Sequence, residues 1–200
     1  FFTTKERIAP PPQQKSSLKQ DLADLINNRQ WVLMFIVFLF MFIFLAMRNS
    51  ILLYYFKYYL DPESMREFLV NIDKGLFGLL EGLKLTAAGA NYADNSFSVI
   101  NIIGQLCAIP GIAVGNALAK RFGKRDVFRT WLIIAGIMAA LFFVVPPSGV
   151  WAILILSILF NFSWGVTMPL PWAMMADVAD YSEWKFNRRA TGIVFAGIVV

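Results

Sequence analysis

The chain is 200 residues long, 58% hydrophobic and 16% aromatic, with 16% charged residues and a mean hydropathy of +0.60. Ordinary soluble domains devote roughly a quarter of their residues to charge, so this composition is written for a bilayer. There is no histidine and a single cysteine, Cys107, inside an apolar run, which excludes a disulfide framework, a thiolate metal site and the usual neutral-pH proton shuttle.

The first thirty residues carry Lys5, Arg7, Lys15, Lys19 and Arg29 around the Pro- and Gln-rich stretch IAPPPQQKSS. That stretch has no apolar period and reads as a flexible linker. A first membrane span starts at Trp31 and ends either at Met47 or near Phe56. On the shorter reading, about 26 Å at 1.5 Å per residue, Arg48 snorkels to the outer interface and Tyr54, Tyr55, Tyr58 and Tyr59 form an aromatic belt. On the longer reading Arg48 lies within the membrane and has to face protein or water. It then becomes a ligand candidate, with Asn49 and Tyr54 beside it. The sequence leaves both readings open.

Residues 61–96 make an outer loop. Within it, ESMREFLVNIDKGLFGLLEGLKL spaces its apolar residues roughly as a short amphipathic helix on a membrane surface would. Three more spans follow, Phe97 to about Leu118, about Phe128 to Val145, and Val150 to about Ala176. Each is long enough to cross as a helix and lacks the in-out alternation of barrel strands. The last apolar run, Ala190 to Val200, is too short to cross a bilayer that needs roughly 20 helical residues. With an opening residue Phe1, it leads us to expect a fragment of a longer protein. The fold class expected is therefore all-α, a polytopic transmembrane helical bundle.

Thirteen of the 18 basic residues fall in the N-terminal segment, in the loop after the second span (Lys120, Arg121, Lys124, Arg125, Arg129) and after the fourth (Lys185, Arg188, Arg189). The positive-inside rule places residues 1–30, 119–127 and 177–189 in the cytoplasm. The net charge of +5 thus reflects topology, and no nucleic-acid partner is expected.

Polar residues inside spans either join helices or line a cavity. In the second span, Ser98, Asn101 and Gln105 share one helical face, and both roles stay open. Gly111 and Gly115 stand in a close-packing G-xxx-G spacing, and Pro110 is expected to kink the helix. The fourth span holds Asn161, Ser163, Trp164 and Thr167 before Pro169 and Pro171, which should break its regular ladder. A Trp beside an amide suits sugar binding, by stacking on a pyranose while the amide reads hydroxyls. Packing or interfacial anchoring is the competing reading for Trp164.

Beyond that span comes MMADVADYSEWKFNRR, residues 174–189. Asp177 and Asp180 share a helical face, with Arg189 nine residues further on. Such charges at a cytoplasmic mouth can pair when it shuts and separate when it opens, or can simply be a solvated interfacial loop. A membrane enzyme holding Mg²⁺ through aspartates would need a second acidic motif, and none faces this pair.

The run PLPWAMMADVADYSEWKFNRRATG closely resembles the segment before the eleventh helix of the glycoside-pentoside-hexuronide:cation symporters, the melibiose-permease-like branch of the major facilitator superfamily. In order along the chain, FFTTKER resembles the end of that family's sixth helix, NSILLYYFKYYL its seventh helix, and LAKRFGKR its loop between helices eight and nine. The resemblance implies that residues 1–30 are the end of the sixth helix plus the central cytoplasmic loop, and residues 31–200 the C-terminal six-helix half, its last span truncated. It implies a non-enzymatic secondary transporter of the bacterial inner membrane that moves a glycoside, pentoside or hexuronide with a cation by alternating access. A transporter of a non-sugar solute, or a sensor derived from one, is the alternative. Asp177, Asp180 and Arg189 match the family's cytoplasmic charged cluster, with Tyr181, Glu183 and Lys185 adjoining. No organic cofactor is implied. The expected partners are the sugar, membrane lipid and an N-terminal six-helix half that carries the site for H⁺, Na⁺ or Li⁺. Lys120 stands where the wider superfamily's loop motif has an aspartate, and the outer loop is longer than the family's.

Overall fold

The computed structural model describes residue 23 and residues 25–75, 91–186 and 194–195. These residues are helical with short connections, and no strand occurs among them. The helices are α1 (Arg29–Tyr58), α2 (Pro62–Gly75), α3 (Tyr92–Phe122), α4 (Lys124–Leu141), α5 (Val150–Thr167) and α6 (Pro169–Phe186), with a 3-10 turn, Phe142–Val144, closing α4. Among the described residues, four helical stretches are long and apolar enough to cross a membrane: Arg29–Tyr58, Tyr92–Phe122, Lys124–Val144 and Val150–Lys185. The chain divides into two compact units, residues 40–173 and residues 1–39 with 174–200.

In the larger unit, apolar residues at the end of α1 (Leu52, Phe56, Leu60) join Met65, Phe68 and Leu69 of α2, Val99 and Ile100 of α3, and Val150, Ile153 and Leu154 of α5 in one buried cluster. α2 is the described part of the amphipathic element of the outer loop. Asp61 caps it by accepting from the Ser64 backbone N–H at 2.9 Å and from its hydroxyl at 2.8 Å. Pro62 follows, where a missing N–H costs nothing. Met65, Phe68 and Leu69, spaced by three and four, form the buried face, and the Phe68 ring meets Trp151 edge-on at 5.0 Å. The rest of the long amphipathic pattern, residues 76–90, lies outside the described residues, as do 187–193 with Arg188 and Arg189, and the last apolar run apart from Val194 and Phe195.

α3 begins at Tyr92, five residues before the apolar run, because Asn91 caps it by accepting from the Asp94 N–H at 3.3 Å. It continues through Pro110 without interruption. The basic connection after it is a single residue. Gly123 has φ +87°, a conformation that favours a residue without Cβ. It closes α3 through Gly123 N–H to the Ala119 carbonyl (3.0 Å) and opens α4 through Val127 N–H to its own carbonyl (3.3 Å). The five basic residues of the expected loop therefore lie on helix ends.

α3 and α5 approach to backbone contact. A Cβ on Gly111 would stand 2.4 Å from the Phe162 carbonyl oxygen, one on Gly115 2.5 Å from that of Val166, and one on Gly165 2.3 Å from that of Ala108. Dispersion between closely apposed backbones holds such crossings, since lipid competes for apolar side chains. In the fourth span α5 passes into α6 at Met168, which keeps helical dihedrals (φ −57°, ψ −42°) and donates its N–H to the Trp164 carbonyl at 2.8 Å, so Pro169 and Pro171 do not end the helical run.

In the smaller unit, Asn28 is fully buried and caps α1, its side-chain oxygen accepting from the N–H groups of Gln30 (3.1 Å) and Trp31 (3.4 Å). Trp31 stacks on Phe35 and donates its indole N–H to the Val194 carbonyl at 3.1 Å. Met175, Val178, Ala179 and Ser182 of α6 are buried here.

Candidate functional site

Two places carry the predicted site residues. The first lies in the larger unit. α1 runs on through ILLYYF to Tyr58, so Arg48 sits inside the helix, ten residues from its end. Its guanidinium carbon lies 3.6 Å above the centroid of Phe160 and 5.7 Å from that of Phe142. Phe160 stacks on Trp164 with centroids 6.0 Å apart and planes 14° from parallel, and Phe44 leans on both rings at 6.2 Å. The result is a tier of Phe44, Trp164, Phe160, Arg48 and Phe142 drawn from α1, α5 and the end of α4. A cavity of about 180 Å³ adjoins it, walled by Arg48, Ile51, Leu52 and Tyr55 of α1 with Ala139, Phe142 and Phe143. Ile51 and Phe143 are exposed at its rim.

Stacking engages the flat face of a guanidinium and leaves its N–H groups, which lie in the guanidinium plane, free to donate. Nη2 of Arg48 is buried and has no hydrogen-bond partner among the described residues. Tyr55, seven residues along and so on the same helical face, turns its hydroxyl to the Phe142 carbonyl at 3.2 Å, and Tyr59 donates to the Val145 carbonyl at 3.0 Å. Together they tie the end of α1 to the 3-10 turn after α4 and to Val145 just beyond it.

The other predicted residues are placed differently. Tyr54 stacks on Tyr58 at 6.0 Å on an exposed face, and Asn49 is exposed. Asn101 is half-buried and donates to the Phe97 carbonyl at 3.1 Å, while Gln105 is exposed. Asn161 donates to the Ser157 carbonyl at 2.8 Å and packs where a Cβ on Gly104 would meet its Nδ2 at 2.6 Å. Thr167 is fully buried and donates to the Ser163 carbonyl at 2.8 Å. In these helices the amide and hydroxyl donors turn back onto the carbonyl four residues earlier. Only Arg48 and Trp164 of the predicted set meet in one tier. Phe44, Phe142 and Phe160 join them, and the sequence offered no sign of it, because one phenylalanine among 19 in an apolar chain carries no mark of function.

The second place is the charged end of α6. Asp177, Asp180, Tyr181 and Trp184 recur at helical spacing and share a face, with Asp177, Asp180 and Glu183 exposed and Tyr181 half-buried. The Tyr181 ring lies 5.9 Å from that of Trp184 and 5.9 Å from the Lys185 ammonium. Arg189 lies outside the described residues. No group of three or more potential metal ligands occurs among the described residues.

Comparison with known proteins gives this arrangement a context. The profile of the family described as MFS/sugar transport protein matches residues 1–71 and 89–200. YagG of Escherichia coli (strain K12), whose name describes a glycoside/cation symporter, is 33% identical over 198 residues, 98% of this chain and 36% of that protein. The inner membrane symporter YicJ of the same organism is 30% identical over 199 residues, again 98% and 36%. The isoprimeverose transporter of Lactiplantibacillus pentosus is 24% identical over 196 residues, 97% of this chain and 34% of that protein. The chain thus spans about a third of the length of these relatives. No solved structure matches it.

Proposed function

The chain belongs to the MFS/sugar transport protein family, and on that premise we propose that it works as part of a secondary transporter, moving a glycoside or related sugar with a cation across the bacterial inner membrane by alternating access. The observation that carries this reading is similarity to proteins named as symporters and a sugar transporter along 97–98% of the chain. The helices supply what such a carrier needs: membrane-crossing length, a charge bias that sets their orientation, and a polar group inside the membrane facing protein rather than lipid. The substrate site of such carriers lies near the bilayer midplane between two helical halves.

The coupling cation is assigned to a site outside this chain. Among the described residues no carboxylate occurs in α1 or α5, and those of α3 and α4, Asp94 and Asp126, stand in the first turn of each helix, whereas a hard cation held at mid-membrane depth wants oxygen ligands there. The α6 face bearing Asp177 and Asp180 is assigned to the cytoplasmic gate, with Tyr181, Glu183, Lys185 and Arg189. Charge pairs across that mouth would favour the closed state and their loss the open one.

Counterflow of labelled glycosides in proteoliposomes tests both assignments. The wild-type transporter should exchange at least one of them, and Asp180→Asn or Arg189→Ala should slow exchange about tenfold or more while sugar binding, read by thermal shift, stays close to wild type. Full exchange by both variants at normal expression would remove the gate from the mechanism. Absence of exchange for every glycoside by the wild type would remove the substrate class.

A further inference from the structure

We infer that Arg48 is the residue through which this transporter recognises an anionic group on its solute, so that its substrates are acidic sugars, carrying a carboxylate or sulfonate, rather than neutral ones. The inference rests on the transport reading above and narrows it.

Depth comes first. Arg48 stands ten residues before the end of α1 at Tyr58, and Phe160 stands ten residues after the start of α5 at Val150. At 1.5 Å per residue each is about 15 Å from its own helix end on the same side of the bundle. Their 3.6 Å contact agrees with that equal depth. A guanidinium inside a span persists where it faces a bundle interior and finds a partner, and Arg48 is packed inward on Phe160.

What partner it finds is the next question. Phe160 packs against the guanidinium at 3.6 Å, with Phe142 further off at 5.7 Å, leaving the in-plane donors. Nη2 is buried beside the cavity without an acceptor among the described residues. No Asp or Glu occurs between residues 25 and 60, between 95 and 125, or between 127 and 176, so no carboxylate of these spans reaches that depth. A carbonyl or hydroxyl would satisfy one donor but not the charge. A carboxylate or sulfonate does both, taking two parallel N–H bonds from the fork. The aromatic tier suits the rest of such a solute, because rings that hold the guanidinium also offer an apolar wall to a pyranose face.

The test uses the intact transporter in proteoliposomes and three matched solutes, a methyl hexoside, the corresponding hexuronide, and the corresponding 6-sulfonate. The wild type should take up one or both anionic solutes about tenfold or more faster than the neutral one. Arg48→Gln should abolish that preference while keeping some neutral exchange. Arg48→Lys, which keeps the charge and loses the planar fork, should retain part of it. The preferred anion should also raise the Tm of the detergent-solubilised wild type but not that of Arg48→Gln.

Equal or greater uptake of the neutral hexoside by the wild type would overturn the inference, with no variant needed. So would an anion preference that survives in Arg48→Gln, which would leave Arg48 as the counter-charge of a carboxylate elsewhere in the transporter. Exchange of neutral sugars, with anions neither competing nor shifting the Tm, would sink the anion site and spare sugar transport. Failure of every glycoside to exchange, with a small non-sugar sulfonate or carboxylate still raising the Tm through Arg48, would do the reverse.

Discussion

The crossing of α3 with α5 and the space between α1 and α4 are both helix contacts in one compact unit, yet they are built in opposite ways. At the crossing, Gly111, Gly115 and Gly165 bring backbones together so closely that a single methyl would overlap a carbonyl. Beside α1, bulky rings line a cavity of about 180 Å³, and a buried donor has no hydrogen-bond partner among the described residues. The contrast teaches where rigidity and recognition are invested. Glycine seams fix a helix pair without polar chemistry. The aromatic tier leaves room and an unmet charge, as a site that takes and releases a solute requires.

The strongest way to break this contrast is to add atoms at the seam. Gly165→Ala places a Cβ 2.3 Å from the Ala108 carbonyl oxygen, and backbone on the other side cannot rotate away. The expected cost is about 3 kcal/mol, the upper end of ordinary overpacking, and Gly165→Val should prevent folding altogether. Gly136, on α4, has nothing within 4 Å of a built Cβ. Gly136→Ala should therefore be neutral or stabilising by up to about 1 kcal/mol through helix propensity. Thermal unfolding in detergent reads both. Unfolding of Gly165→Ala together with the wild type would mean that the seam is not close-packed.

A smaller effect sharpens the other side of the comparison. The Arg48–Phe160 stack should show a coupling energy of about 1 to 2 kcal/mol in a double-mutant cycle of Arg48→Met and Phe160→Leu, as expected of a partly desolvated cation–π pair. Additivity of the two substitutions would show that the guanidinium rests there without being held. Below that, Tyr55→Phe and Tyr59→Phe should each cost about 1 kcal/mol by removing a hydrogen bond to the turn that closes α4. The exposed Tyr54→Phe should cost less than about 0.5 kcal/mol.

The spans were legible because a helix that crosses lipid needs about twenty apolar residues in a row, a signal no local detail can hide. Their ends were less so. Tyr92 to Ser96 are polar enough to read as loop, and Asn91 draws them into α3 through a cap that depends on one side chain's orientation. The outer loop's helix was visible in its spacing, since Met65, Phe68 and Leu69 recur by three and four. Gly123 turned a nine-residue basic loop into a corner because one residue with φ +87° suffices. At the candidate site, Arg48 and Trp164 stood out since charge and indole are rare inside spans. Asn161 and Thr167 stood out for the same reason, yet their donors close onto the preceding turn, an outcome that spacing cannot separate from a cavity lining. The phenylalanines that build the tier were invisible, since sequence cannot tell a ring that holds a cation from one that fills a core.

The smallest expected effect concerns Asp61, outside both contacts, where an exposed carboxylate starts the helix that covers the apolar cluster. Two hydrogen bonds from Ser64, the backbone N–H foremost and the hydroxyl next, hold its pKa below the ordinary 3.8. A carboxylate with a depressed folded-state pKa stabilises the fold above its unfolded value, and that contribution fades as pH falls through the lowered one. The ¹³C titration of the Asp61 carboxylate should therefore have its midpoint below 3.8, and docking of α2, followed by the Phe68–Trp151 contact, should loosen only in that acid range. Asp61→Asn keeps a cap acceptor without a titrating charge and should make α2 indifferent to acid. A wild-type midpoint at or above 3.8, or acid loosening that persists in Asp61→Asn, would show that some other group anchors α2 and that the apolar contacts of Met65, Phe68 and Leu69 alone set its position.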